Sequence, residues 1–129
     1  MKHKILKFEN AKFEEIEVCG EVVGYSELKN AVGGYIETCL YNSILKNNKI
    51  DIWCDEEGKL KSLPIECIIL DAERMNVVDV VAGPLVFTSF DYEGNSLELT
   101  NEQIEIIKNS ISVYKDEKTG IEVCVMKFE

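Results

Sequence analysis

The sequence predicts a single α+β domain: a mainly antiparallel sheet of six to eight short strands, with two helices covering one face. Three observations carry this. Apolar and β-branched residues recur at period two in several short runs, Asp/Asn/Gly turns separate those runs, and only two segments carry helix start and stop signals. A chain of 129 residues buries roughly two-thirds of its unfolded surface in one core. Residues 1–129 are therefore expected to form one domain.

The elements follow in order. Lys2 to Phe8 and Phe13 to Val23 interleave Ile, Phe and Val with Glu and Lys around the polar turn Glu9-Asn10-Ala11-Lys12, which predicts an opening β-hairpin. Ser26 precedes Glu27 to Val32, and Gly33-Gly34 follows at once, the start and stop of a helix of about two turns. Tyr35 to Tyr41 then reads as a strand. Lys49 to Cys54 alternates as a strand, Asp55-Glu56-Glu57-Gly58 supplies a turn, and Lys59 to Leu63 is expected to return antiparallel before Pro64 ends it. Ile65 to Met75 is open between strand and irregular connection. Val77 to Val81 and Leu85 to Phe90 flank Gly83-Pro84 as a hairpin-like or bulged unit, and Asp91-Tyr92-Glu93-Gly94 repeats the Asp-x-Glu-Gly turn chemistry of residues 55–58. Thr100 and Gln103 form a capping box ahead of an apolar stripe through Ile104, Ile107 and Ile111, the clearest helix signal in the chain. Residues 112–128 close as a hairpin about Asp116 to Gly120.

Composition excludes several functions. Twenty-four acidic residues against fourteen basic give a formal charge of −10, and Arg74 is the only arginine, so direct binding to nucleic acid is not expected. No apolar run reaches the ~20 residues of a membrane-spanning helix, nor does one of signal-peptide length open the chain. The expected location is the cytoplasm, with no membrane association. Five cysteines without a C-x-x-C pair read as buried thiols rather than a disulfide framework.

His3 is the only histidine and sits between two lysines, where it reads as a solvated strand residue. Ser-His and Cys-His catalysis and His-rich metal sites are thereby excluded unless His3 itself serves. No catalytic residue, metal site or cofactor is assigned. Glu37 lies within an apolar strand, and Asp55 and Glu57 lie in an acidic turn whose pattern lacks the alternating ligands of a calcium loop. Tyr35, Trp53 and Tyr92 offer aromatic faces, and Arg74 is the single guanidinium fork. These seven residues, Tyr35, Glu37, Trp53, Asp55, Glu57, Arg74 and Tyr92, are the candidates for binding a ligand or partner.

The order GGYIE (33–37), DIWCDEEGKLKSLP (51–64), DVVAGPLVF (79–87) and DYEGNSLELTNEQI (91–104) resembles the domain of unknown function 3846 family, small proteins of phages, plasmids and bacterial genomes. The resemblance covers about residues 31–107. Where that family commonly reads Asn-Arg after Leu-Pro, this chain has Ile65-Glu66-Cys67-Ile68, so a role carried by an arginine there is not transferred. The resemblance brings no catalytic residues. It implies a mobile-element setting, in which the expected role is a non-enzymatic binding protein, a counter-defence factor sequestering a host protein or a small nucleotide-type signal. The rivals are a metal-assisted enzyme using Asp51, Asp55, Glu57 or Glu37, and a protein that self-assembles into a homo-oligomer through a sheet edge.

Overall fold

A computed structural model describes residues 2–20, 22–39 and 42–127. Among the described residues it has ten strands in two sheets and three helices, so the α+β class holds with more elements than expected. Leu40, Tyr41, Glu21 and Phe128, which the expected strands included, lie outside the described residues, as does the side chain of His3.

Strands β1 (Lys2–Glu9) and β2 (Lys12–Cys19) form the opening hairpin in the register Phe8↔Phe13 and Glu9↔Lys12. Asn10 and Ala11 both take positive φ, 55° and 60°. That is the two-residue turn whose twist matches the strands it joins. Helix α1 (Tyr25–Val32) starts two residues earlier than expected: Gly24 is its N-cap, and Ser26 lies inside the helix. Its end is as expected, with Gly33 at φ 88° donating its N–H to Lys29 O at 2.8 Å. Strand β3 (Ile36–Cys39) follows.

A short helix, α2 (Ser43–Asn47), was not anticipated. Asn42 caps it by accepting from the Ile44 and Leu45 N–H groups, and Asn42-Ser43 is the sequence signal for it. Strand β4 (Ile50–Asp55) leads into the acidic turn, but residues 56–62 form successive turns and no return strand forms. Strands β5 (Ile65–Asp71) and β6 (Asn76–Ala82) pair antiparallel with register shifts at Ile65/Cys67 and Ile69/Leu70.

Strand β7 (Leu85–Phe90) and the two-residue β8 (Ser96–Leu97) complete the larger sheet, of path order β2-β1-β7-β4-β3 with β8 beside β7. Because β6 belongs to the smaller sheet, Gly83-Pro84 is a crossover between sheets and not a hairpin turn. Helix α3 (Asn101–Ser110) has both bonds of the predicted capping box. Strands β9 (Ile111–Lys115) and β10 (Glu122–Lys127) finish the smaller sheet, ordered β6-β5-β10-β9, in which β10 runs parallel to β5.

Strand alternation distributes the apolar residues. Leu6, Phe8, Ile50, Ile52, Leu85 and Phe87 from the larger sheet join Cys67, Ile69, Cys124 and Met126 from the smaller one and Leu45, Ile104 and Ile107 from α2 and α3. Ile5 and Val86 face the other way and pack with Leu28, Ala31 and Val32 of α1 and with Trp53. The helices therefore serve both faces of the larger sheet, where one covered face was expected. Leu6, Phe8, Leu85 and Phe87 are each fully buried, worth about 1.5–3 kcal/mol apiece. The core thus fixes β4 and β7, from which the polar loops project.

Candidate functional site

The segments GGYIE, DEEGKLKSLP and AGP, far apart in sequence, meet at one end of β4. Asp55 ends that strand with its side chain 1% exposed. Its Oδ1 accepts the Glu57 N–H at 2.8 Å and its Oδ2 accepts from Lys61 Nζ at 2.8 Å. The backbone then coils back: Gly58 N–H donates to Asp55 O, Lys61 N–H to Glu57 O, and Leu63 N–H to Gly58 O. Turning on its own aspartate, the loop satisfies its donors without a partner strand, which is why no return strand forms.

Neighbouring segments close on this loop through backbone contacts. Glu56 N–H donates to Tyr35 O, and Gly83 N–H donates to Pro64 O, both at 2.8 Å. A methyl group on Gly34 would come within 2.5 Å of Asp55 Oδ2, and one on Gly58 within 2.1 Å of Ala82 O. Both positions accept only glycine without displacement, because the approach is closer than side chains permit. The glycines and the carboxylates of these segments thus form a single interlocked clasp.

Electrostatics follow from the geometry. Burial pushes the Asp55 carboxyl up, yet the Lys61 ammonium and the Glu57 N–H outweigh it and hold the group below its ordinary value. The Asp55 hydrogen bond holds the Lys61 ammonium above its own ordinary value, against its partial desolvation. Asp55 is thus an anion committed to its own loop, an arrangement unlike the raised pKa of a general acid. Lys59 bonds Asp79 Oδ1 of β6 at 2.6 Å.

Between the clasp and β6 lies a recess of about 270 Å³ whose walls include Glu37, Glu56, Lys59 and Asp79. Glu37 and Glu56 are exposed at its rim. Cys54 also lines it, with Glu37 Oε1 3.8 Å from its sulfur. The register Cys39↔Ile52 and Glu37↔Cys54 puts Cys39 and Cys54 on one face of β3–β4, and the two are joined as a disulfide. This corrects the reading of all five cysteines as thiols. Cys67 and Cys124 are buried thiols and Cys19 is an exposed one.

Of the seven candidates, the structure brings together Tyr35, Glu37, Asp55 and Glu57. Tyr35 stands at the clasp with Lys29 Nζ 4.6 Å above its ring. It separates the other three from this group. Trp53 shares the Asp55 face of β4, opposite to Glu37 and Cys54, but packs in the core under α1, where its Nε1–H donates to the buried Thr88 hydroxyl at 2.9 Å. Tyr92 lies in the turn after β7, beside Lys49 and hence at the far end of β4, its ring 5.0 Å from that ammonium. Arg74 sits in the β5–β6 turn, away from residues 79–82, facing Asp71 at 3.6 Å.

The contributions of Lys61 and Asp79 were missed. Lys59 and Lys61 directly follow the acidic turn in the sequence, and that adjacency was the available signal. Among the described residues no group of three or more His, Cys, Asp or Glu side chains is arranged to hold a metal ion. Asp91 is likewise committed to its loop, accepting the Glu93 and Asn95 N–H groups through Oδ1. The two Asp-x-Glu-Gly turns therefore do share one chemistry, the aspartate oxygen capping the N–H two residues on.

Fold and site define a two-sheet α+β protein whose clustered polar loops are knit to one another by ion pairs and backbone bonds. The chain belongs to the family described as domain of unknown function (DUF3846), which matches residues 1–112 of 129. No curated protein and no solved structure matches the chain significantly. Among the described residues, no helix is long and apolar enough to cross a membrane.

Proposed function

We propose that this chain is a non-enzymatic binding protein that uses the recess beside the clasp to capture a basic segment of a host protein, in the counter-defence setting its family resemblance implies. The observation that carries the reading is the state of Asp55: the most deeply placed carboxylate of the clasp is neutralised by Lys61 and an amide, while Glu37 and Glu56 remain at the rim. Such a site offers rigid shape and negative charge, and it does not offer a base. The mobile-element setting is an association carried by family and not by geometry.

Size and sign favour a protein side chain over a nucleotide-type signal. The recess of about 270 Å³ falls below the ~300–1,000 Å³ of ordinary small-molecule sites. Glu37, Glu56 and a net charge of −10 repel phosphates. The test is isothermal titration of the protein against purified host defence proteins and cyclic nucleotides. The expected result is a protein partner whose affinity falls with added salt and drops at least tenfold in the Glu37→Gln/Glu56→Gln double variant. Absence of binding to every protein, or nucleotide binding that survives the double variant, would remove the reading.

A further inference from the structure

A second cavity, sharing no lining residue with the recess, opens where two parallel strands part. Strands β5 and β10 are in register from Val125↔Ile68 onward. Before that point their opening residues line opposite sides of a space of about 550 Å³, bounded also by the Asn10-Ala11 turn and Gly120. The register shift between Ile65 and Cys67 inserts Glu66 as an extra residue in β5. That insertion places Glu66 at the cavity, 9% exposed.

Glu66 is a buried carboxyl group with few partners. Among the described residues it receives one donor, the Asn10 N–H, at 3.3 and 3.4 Å to the two oxygens. Among the described residues no lysine or arginine is paired with it. An ionised carboxylate has about four acceptor sites, and a buried one lacking a cation is costly. Much of the remaining wall is apolar or neutral. Ile65, Ile68 and Val123 contribute hydrocarbon, and burial, with Cys124 beside it, pushes the Cys67 thiol up to about 12. Glu122 adds a second carboxylate. Burial first, then Glu122, then Glu66 raise the Cys124 thiol, so both acids act on the same space.

We infer that this cavity is a binding site for an organic cation, a primary ammonium or guanidinium on an apolar stem, with Glu66 as its buried counter-ion. Free diamines and the lysine or arginine side chain of a peptide share that chemistry. The site combines Asn10, Ala11 and Ile65 to Ile68, within the residues that match the family, with Glu122 to Cys124, beyond them.

The test is two-dimensional NMR titration of the intact protein with cadaverine, with N-acetyl-lysine amide, and with the uncharged N-acetyl-norleucine amide. The inference expects saturable shifts at Asn10, Glu66 to Ile68 and Gly120 to Cys124, at a dissociation constant of about 1 mM or tighter. It expects no shifts at Glu37 or Glu56, which separates this site from the proposed partner recess. Tighter cadaverine binding identifies a free diamine, and tighter lysine-amide binding a side chain of a partner. Glu66→Gln should weaken either at least tenfold. Should that variant fail to fold, the exposed Glu122→Gln should weaken binding several-fold while the norleucine analogue stays silent. Equal binding by the uncharged analogue, shifts confined to other residues, or no binding to either cation would overturn the inference.

Discussion

Replacing Asp55 by Asn perturbs the clasp with almost no change of volume. The Asn oxygen still accepts the Glu57 N–H, but the amide nitrogen then faces Lys61 Nζ, a donor opposed to a donor. A hydrogen bond to a charged group contributes ~1.5–3 kcal/mol. Because the Lys61 side chain is 39% exposed, water screens part of this, and the expected loss is about 1.5–2 kcal/mol. For a chain of this length that lowers Tm by roughly 5–10 °C. Urea unfolding at pH 7 and at successively lower pH is the assay. The Asp55 pKa is depressed in the fold, so its contribution is complete above the ordinary carboxylate value of 3.8 and is lost as pH falls through the folded value. Wild type and Asp55→Asn should therefore begin to converge as pH falls below 3.8 and meet only below the folded value. A loss under about 0.5 kcal/mol at pH 7, or a gap that persists in acid, would refute the reasoning.

Three further outcomes follow from the same geometry. Gly58→Ala sets a methyl against Ala82 O, a backbone atom that no rotamer change can move aside, and should cost about 2–3 kcal/mol in urea unfolding. Gly94→Ala, at φ 88° with open space around it, should cost only about 1 kcal/mol. Asp51→Asn should raise Tm at pH 7, because burial, partly opposed by Lys46, holds that carboxyl above its ordinary value and so costs stability once pH rises through the folded pKa; the gain should vanish in acid. Thiol titration should find Cys19 alone reactive in the native protein and three thiols after denaturation without reductant, the Cys39–Cys54 pair remaining closed.

Local patterns were legible where the physics is local. The Asn10-Ala11 turn, the Gly33 stop and the Thr100–Gln103 capping box depend on neighbours a few residues away, and each stands as read. Long-range choices were not legible in that way. Gly83-Pro84 has the composition of a hairpin turn, and only the pairing of β6 with β5 reveals it as a crossover between sheets. Residues 59–63 alternate like a strand, yet Lys61 is drawn onto Asp55, a demand that alternation does not encode. At the site, Asp55 and Glu57 were legible together because they share one acidic turn, whereas the approach of Gly34, Tyr35 and Gly83 to that turn depends on the fold. Which face of β4 receives a helix, and so what covers Trp53, is left open by period two. The buried position of Glu66 depends on a bulge that no short sequence pattern announces.

The interlocking of the three segments is tested most simply by amide hydrogen exchange on the unbound protein. The Glu56, Gly58, Leu63 and Gly83 amides all donate within the clasp, so they should exchange slowly and as one cooperative unit, and should speed up together in Asp55→Asn. If instead they exchange independently, as fast as the Lys118 and Gly120 amides of the exposed β9–β10 turn, the segments are separate loops and the clasp does not exist.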